Sequence, residues 1–169
     1  SDFGFTQDPT TLISTIVDIQ NKELWIYDEH YQRGMLTDEI YQMYLDKGLK
    51  NAKIIADSAE KRLITEIKRK GISNLKPSIK GQGSIMQGVQ FIQGFKIYVH
   101  PTCEHTIEEL NTYTFERDKD GNWLNKPIDA NNHLMDALRY SLEEFHFPRN
   151  NRTNVNIKKN ISRAKAMGL

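Results

Sequence analysis

The chain has 169 residues, of which 38% are hydrophobic and 27% charged, with a formal net charge of +1. This length is typical of one domain with a substantial core, and no apolar run or leader-like segment indicates a membrane span or a signal peptide, so we expect a cytoplasmic protein. One cysteine, Cys103, excludes an internal disulfide. It lies in the segment 100–105 with two histidines, but three ligands at this spacing do not make a structural zinc site, so we interpret them as ordinary surface residues.

The first 70 residues alternate between strand and helix patterns. The predicted elements are a strand stub at 2–5, strands at 11–19 and 24–31, a helix at 37–49 capped by Thr37, a strand at 53–57 and a helix at 58–70. The two long strands flank a polar turn, which predicts an antiparallel hairpin. The apolar segment 53–57 is too short for a helix and lies between helices, which is typical of a buried parallel strand.

The rest of the chain continues this alternation. Its predicted elements are a short strand near 78, a helix at 84–93, a strand at 96–99, a helix at 107–111, a hairpin with arms at 113–117 and near 123, and a helix at 131–145 with Leu134, Leu138, Leu142 and Phe145 on one stripe. A three-strand meander followed by helix, central strand and helix is the element order of the ribonuclease H-like fold. We therefore predict an α/β protein with a ribonuclease H-like mixed central sheet flanked by helices and an additional β-hairpin. Its domain spans 1–147, and 148–169 form a basic extension whose composition is compatible with disorder.

Two short motifs are typical of nucleotide chemistry, and neither is complete. Asp2-Phe3-Gly4 matches the metal-binding triplet of protein kinases, but the other kinase motifs are absent from the sequence. Gly83 and Gly88 have the spacing of a P-loop, yet Val89 and Gln90 follow where Lys and Ser or Thr are required. The sequence thus contains no phosphate-cradling loop.

Three acidic residues stand at positions where a cleft is expected. Asp2 lies on the first strand, and Asp57 ends the central strand, where open α/β sheets form their ligand crevice. Asp136 shares a helix face with His133 and Tyr140, apart from the leucine stripe. A buried acid requires a partner, and carboxylate oxygens are the ligands that Mg²⁺ and Mn²⁺ prefer. Convergence of the three acids would therefore supply a site for two divalent cations that act on a phosphodiester.

Each of these residues also has an ordinary structural interpretation, which the spacing alone leaves open. The alternatives are a helix cap for Asp57 with Glu60 as its capping-box partner, an ion pair between Asp136 and Arg139, a surface position for His133 and a solvated position for Asp2.

Basic residues are concentrated in two regions. The segment 47–80 contains ten basic and three acidic residues, and the segment after Phe147 contains six basic residues and no acid. Such an uneven distribution on a nearly neutral chain suits a face that contacts a polyanion. Solvated helix faces are the alternative explanation.

Four groups of residues, in this order and spacing, resemble the nuclease domain of tailed-bacteriophage terminase large subunits from residue 2 to about residue 145. They are Asp2-Phe3-Gly4-Phe5 with Asp8-Pro9, Asp28-Glu29-His30-Tyr31, Ala56-Asp57-Ser58-Ala59-Glu60, and Asn132-His133-Leu134-Met135-Asp136-Ala137-Leu138-Arg139-Tyr140.

The resemblance implies a ribonuclease H-like endonuclease that cuts concatemeric phage DNA with two Mg²⁺ or Mn²⁺ ions in the host cytoplasm. It implies that Asp2, Asp57 and Asp136 are the catalytic metal ligands and that His133 assists them, with Glu60 a candidate for supporting the ligands. In this context the basic residues Lys61, Arg62, Lys76 and Lys80 are predicted to contact DNA phosphates.

The expected partners are double-stranded DNA and, in the full-length protein, an ATPase motor domain, the small terminase subunit and the portal protein. No membrane is expected. Because the sequence has no P-loop, we expect a nuclease domain separated from its motor. The competing hypotheses are a non-catalytic module that docks on DNA or portal, and another ribonuclease H-like nuclease such as a resolvase.

Overall fold

The computed structural model describes residues 1–79 and 81–146. Its elements are β1 (Thr10–Asp18), β2 (Glu23–Gln32), α1 (Thr37–Asp46), β3 (Ile54–Ala56), α2 (Lys61–Lys70), β4 (Leu75–Pro77), α3 (Ser84–Gln93), β5 (Lys96–Val99), α4 (Glu104–Thr112), β6 (Phe115–Arg117), β7 (Trp123–Pro127) and α5 (His133–His146). Lys80 and the predicted basic extension lie outside the described residues. Within those residues, no helix has the length and apolar character needed to cross a bilayer.

The first two residues join two groups of strands. On one side β1 pairs antiparallel with β2, which pairs parallel with β5, and on the other side β3 pairs parallel with β4. The Ser1 amino group donates to the Ile55 carbonyl at 2.7 Å, and the Asp57 amide donates to the Ser1 carbonyl at 3.1 Å. Asp2 exchanges two backbone hydrogen bonds with Thr11 of β1, at 2.9 and 2.7 Å. The strands therefore follow the order β4, β3, residues 1–2, β1, β2, β5, which is the predicted mixed sheet.

Helices cover both faces of this sheet, and the alternation of side chains along β1 divides the core between them. Leu12 packs in the cluster formed with α1 and α2, where Ile40, Tyr44, Ile64 and Ile67 are buried. Ile13 packs in the second cluster, formed with α5, where Leu134, Leu138 and Leu142 are buried. Each fully buried Leu or Ile contributes about 1.5–3 kcal/mol. The two clusters thus fix α5 against the strands that carry the candidate site.

Most predicted elements are present, and three details of the prediction are wrong. The strand stub at 2–5 is reduced to a single bridge between Asp2 and Thr11. Helix α1 has Leu36 rather than Thr37 at its cap position, where Glu39 accepts a hydrogen bond from the Leu36 amide at 2.7 Å. Phe145 is 44% exposed because it lies at the end of the apolar stripe of α5, beyond the buried Leu142.

Candidate active site

Asp2 and Asp57 lie at the carboxyl ends of neighbouring strands. Ser1 is hydrogen-bonded to the residues on either side of Ala56, so Ser1 and Ala56 are paired across the two strands. The residues that follow them, Asp2 and Asp57, therefore lie side by side on backbones about 5 Å apart. Asp2 contacts His133 of α5, and the alternation of side chains along β3 places Asp57 on the face opposite Ala56. Asp57 Oδ1 accepts a hydrogen bond from the Ala59 amide at 3.1 Å. Two carboxylates therefore share one edge of the sheet.

Helix α5 brings His133 to Asp2. The His133 Nδ1 atom lies 3.3 Å from Asp2 Oδ2, and its Nε2 atom lies 3.6 Å from Asp8 Oδ1. The Thr11 hydroxyl donates to the His133 carbonyl at 3.1 Å, which ties the start of α5 to β1. The hydrogen bond from His133 to Asp2 raises the pKa of the imidazole, although partial burial opposes the shift. His133 is therefore held between two carboxylates.

Asp136 lies one turn further along α5. Burial raises the pKa of this carboxyl, and the Arg139 guanidinium opposes the shift by donating to Asp136 Oδ1 at 2.8 Å. The ion pair considered in the sequence is therefore present. Ion pairing with Arg139 and a role in metal binding are compatible, because a carboxylate has two oxygens.

Tyr140 of α5 is affected by the charges of all three aspartates. Burial raises the pKa of Tyr140, and the charges of Asp136, Asp2 and Asp57 raise it further. All three carboxylates thus add negative charge around Tyr140. Among residues 1–79 and 81–146, however, no three acidic, histidine or cysteine side chains are gathered closely enough to form a ready-made metal cluster. The carboxylate donors fit hard cations such as Mg²⁺ and Mn²⁺.

A cleft of about 520 Å³ opens beside Asp136. It lies between the beginning of α3, strand β7 and α5, and its wall includes Asn132, which precedes α5, and Arg139 and Tyr140 of α5. Lys126 also lines the cleft and forms an ion pair with Glu116 at 2.6 Å. Asp2 and Asp57 are not among the residues that line it, so the cleft adjoins the carboxylates only through Asp136.

The other residues predicted from sequence occupy different places. Glu60 is the exposed cap residue of α2 and makes no capping hydrogen bond, so the capping box with Asp57 is wrong. Glu60 lines a groove with Phe3 and Phe5, on the α1 and α2 side of the sheet.

Of the basic residues predicted to contact DNA, those that the structure describes lie on different faces of the sheet. Lys61 and Arg62 begin α2 on the same side as Glu60, and Arg62 pairs with Glu66 at 2.9 Å. Lys76 is opposite Ile55 in the β3–β4 register, which places it on the same face of the sheet as Asp57. The segment 100–105 is not all surface, because Cys103 is fully buried in the core. His105 instead bonds to Glu29 at 2.9 Å and stacks on Tyr31.

Glu109 of α4 is a buried residue that sequence reasoning missed. It is only 4% exposed, and its Oε2 atom accepts hydrogen bonds from the amides of Leu134 and Met135 at 2.8 and 3.0 Å. The side chain therefore caps the helix that carries His133 and Asp136, a use of an acid that complements the helix dipole. Burial raises the pKa of Glu109 to about 7, and the two amide hydrogen bonds oppose this. An acid within a helix gives no local signal of this role.

The raised pKa of Glu109 predicts a pH-dependent stability. Because the folded-state pKa exceeds the unfolded value, this group stabilises the fold at low pH and loses that contribution as pH rises through about 7. The melting temperature should therefore fall between about pH 5 and about pH 8, and Glu109→Gln should reduce this fall. Thermal melts across this range test the prediction, with Glu108→Gln as an exposed control on the same helix. Equal pH dependence in both variants would contradict it.

Comparisons with known proteins agree with this architecture. The family model described as "Terminase RNAseH like domain" matches residues 2–144. The PBSX phage terminase large subunit of Bacillus subtilis (strain 168) is 32% identical over 146 residues, which cover 85% of this chain and 33% of that protein. The terminase large subunit of Bacillus phage SPP1 is 27% identical over 145 residues, which cover 84% of this chain and 34% of that protein. The chain thus spans about a third of the length of these relatives.

Solved structures have the same fold. The large terminase nuclease domain from bacteriophage SPP1, a crystal structure with bound Mn, matches with a TM-score of 0.80 and 25% identity over 85% of this chain and 83% of that one. The P22 large terminase nuclease domain matches with a TM-score of 0.62 and 22% identity over 86% and 79% of the two chains. The predicted ribonuclease H-like fold and the family resemblance are confirmed. The chain belongs to the terminase ribonuclease H-like domain family.

Proposed function

We propose that this chain is a metal-dependent endonuclease that hydrolyses phosphodiester bonds of double-stranded DNA during phage genome packaging. The observation that carries this proposal is the placement of Asp2 and Asp57 on adjacent strands, facing the helix that bears His133 and Asp136. The bound Mn of the SPP1 nuclease domain supports a divalent cation at such a site.

Asp2, Asp57 and Asp136 are the residues that would hold the cations. When bound, two Mg²⁺ or Mn²⁺ ions would supply Lewis-acid stabilisation to the attacking and leaving oxygens of the phosphodiester. Asp2 would contribute to holding both cations, Asp57 to holding the one that supports the leaving group and Asp136 to holding the one that supports the attacking water. His133 would exchange protons with water near neutral pH, as imidazole groups do. Its Nδ1 contact with Asp2 would hold the ring in position for this role.

The substrate and partners follow from the family. DNA concatemers, an ATPase motor domain, the small terminase subunit and the portal protein are the partners we propose for the full-length protein, in the host cytoplasm. Residues 1–147 would form the nuclease domain, and 148–169 a basic extension.

Plasmid cleavage tests the activity. Incubation of the 169-residue chain with supercoiled plasmid and Mn²⁺ is expected to yield nicked and linear DNA, and EDTA is expected to stop the reaction. Salt-sensitive DNA binding without any cleavage would instead support a docking module. A preference for RNA–DNA hybrid over duplex DNA, or for four-way junctions, would support another ribonuclease H-like nuclease.

Lys61, Arg62, Lys76 and Lys80 are proposed to contact the DNA backbone. Replacement of both Lys61 and Lys76 by alanine should weaken DNA binding at all sequences and lower the slope of log K against log salt by about 2, since each phosphate contact contributes about 1. Fluorescence anisotropy over a salt series measures this slope. Lys96→Ala is the control, because Lys96 is an exposed residue of β5 at the far edge of the sheet. An unchanged slope in the double variant would place the DNA elsewhere.

A further inference from the structure

Arg139 is a buried cation beside the candidate metal ligands. It is 8% exposed, and its Nη2 atom donates to Asp136 Oδ1 at 2.8 Å. Its guanidinium lies 4.8 Å from the centre of the Tyr140 ring. Its Nε atom is buried and has no hydrogen-bond partner among the described residues. A charge this deeply buried is costly, so its position requires a structural reason.

Helix α3 provides the space that Arg139 occupies. Gly88 lies in the middle of α3, and a Cβ atom at this position would lie 2.4 Å from Arg139 Cγ and 2.6 Å from Arg139 Cδ. No side chain fits there without displacing the arginine. Glycine within a helix costs about 1 kcal/mol relative to alanine, which makes this contact the physical reason for Gly88. The glycine that resembled part of a P-loop thus has a packing role.

We propose that Arg139, seated on Gly88, is a positioning residue that orients Asp136 for metal binding. The packing of Arg139 against Gly88 and Tyr140 fixes the guanidinium, and the guanidinium fixes one carboxylate oxygen of Asp136. The second carboxylate oxygen of Asp136 would then be available to a cation. This inference rests on the proposed function, because it assumes that Asp136 is a metal ligand.

Mn²⁺ affinity, measured by titration calorimetry without DNA, tests this role. Arg139→Ala and Gly88→Ala are each expected to weaken Mn²⁺ binding by about 10–100-fold, the usual effect of removing the support of a metal ligand. Gln90→Ala, an exposed change on α3, is the control and should bind Mn²⁺ as the unmodified chain does.

The double variant Gly88→Ala/Arg139→Ala distinguishes a specific contact between Gly88 and Arg139 from a general loss of packing. Arg139→Ala removes the Cγ and Cδ atoms that a side chain at position 88 would meet. Gly88→Ala should therefore have no further effect on Mn²⁺ affinity when added to Arg139→Ala, so the two changes are strongly non-additive. Additive losses of Mn²⁺ affinity would overturn the proposal that Gly88 acts through its contact with Arg139.

Three further outcomes are decisive. Unchanged or tighter Mn²⁺ binding by folded Arg139→Ala would overturn the positioning role, since it would make the arginine a competitor of the cation. Should Arg139→Ala not fold, as judged by circular dichroism, Arg139→Lys keeps the charge but not the planar fork and should weaken binding by about tenfold. Unchanged affinity in Arg139→Lys would overturn the proposal in the same way. If the unmodified chain binds no Mn²⁺, the proposed function itself fails.

Discussion

Replacement of Asp57 by alanine is expected to abolish Mn²⁺-dependent cleavage of supercoiled plasmid while the fold is retained. Asp57 follows the last residue of β3, at the edge where Asp2 also lies, so its carboxylate is one of the two that the sheet places side by side. Loss of a ligand at such a site should lower the cleavage rate by about a thousandfold or more, equivalent to about 4 kcal/mol of transition-state stabilisation. Agarose gel assays of nicked and linear products measure the rate.

Asp38→Ala is the matched control for this experiment. Asp38 lies on α1, where it pairs with Lys70 at 2.5 Å on the surface. Its removal should cost about 1 kcal/mol of stability or less and leave cleavage unchanged. Circular dichroism spectra of both variants should match that of the unmodified chain. Undiminished nicking by Asp57→Ala would remove Asp57 from the catalytic site and with it the proposed arrangement of ligands.

Gly4→Ala is expected to have the largest effect on stability of any single methyl addition in this region. A Cβ at position 4 would lie 2.3 Å from the Asp8 carbonyl oxygen and 2.6 Å from that of Pro9. Both atoms belong to the backbone, so relief of the clash requires the segment between Asp2 and β1 to shift. The expected cost is about 2–4 kcal/mol, which lowers the melting temperature by about 5–15 °C. Cleavage should also fall, because this segment carries Asp2.

Gly81→Ala is the control for the added methyl group. A Cβ at Gly81 would meet no atom within 4 Å, and Gly81 does not have the positive φ that favours glycine. Its melting temperature should therefore stay within about 2 °C of the unmodified value. Equal melting temperatures for the Gly4 and Gly81 variants would show that the segment after Asp2 can shift without a loss of stability. The glycine of the Asp2-Phe3-Gly4 triplet is thus explained by backbone crowding at position 4.

Local sequence patterns were sufficient for most of the fold. Helix α3 and strand β5 were predicted with the bounds that the structure has, and in the structure Gly83 and Gly94 are the cap residues of the helix. The stub at 2–5 was overextended because its apolar pattern continues past Asp2. The backbone at Gly4 instead packs against Asp8 and Pro9, a contact that no periodicity reveals.

The candidate site depended on more than local pattern. Spacing alone left Asp57 with a helix-cap alternative, and the resemblance was needed to connect it with Asp136. Glu109 and Gly88 were missed because their roles exist only where two helices meet: Glu109 caps α5 from α4, and Gly88 admits Arg139 from α5. Side chains that act across a helix contact have no signature at their own positions. The assignment of Asp2, Asp57, Asp136 and His133 as catalytic residues is still a prediction.

The two residues that join the halves of the sheet also place Asp2 at the candidate site. Ser1 is bonded to β3 and Asp2 to β1, so the strand segment that closes the sheet carries a candidate ligand. Opening this junction would separate Asp2 from Asp57. The proposed cleavage activity therefore requires the sheet to be continuous at this junction.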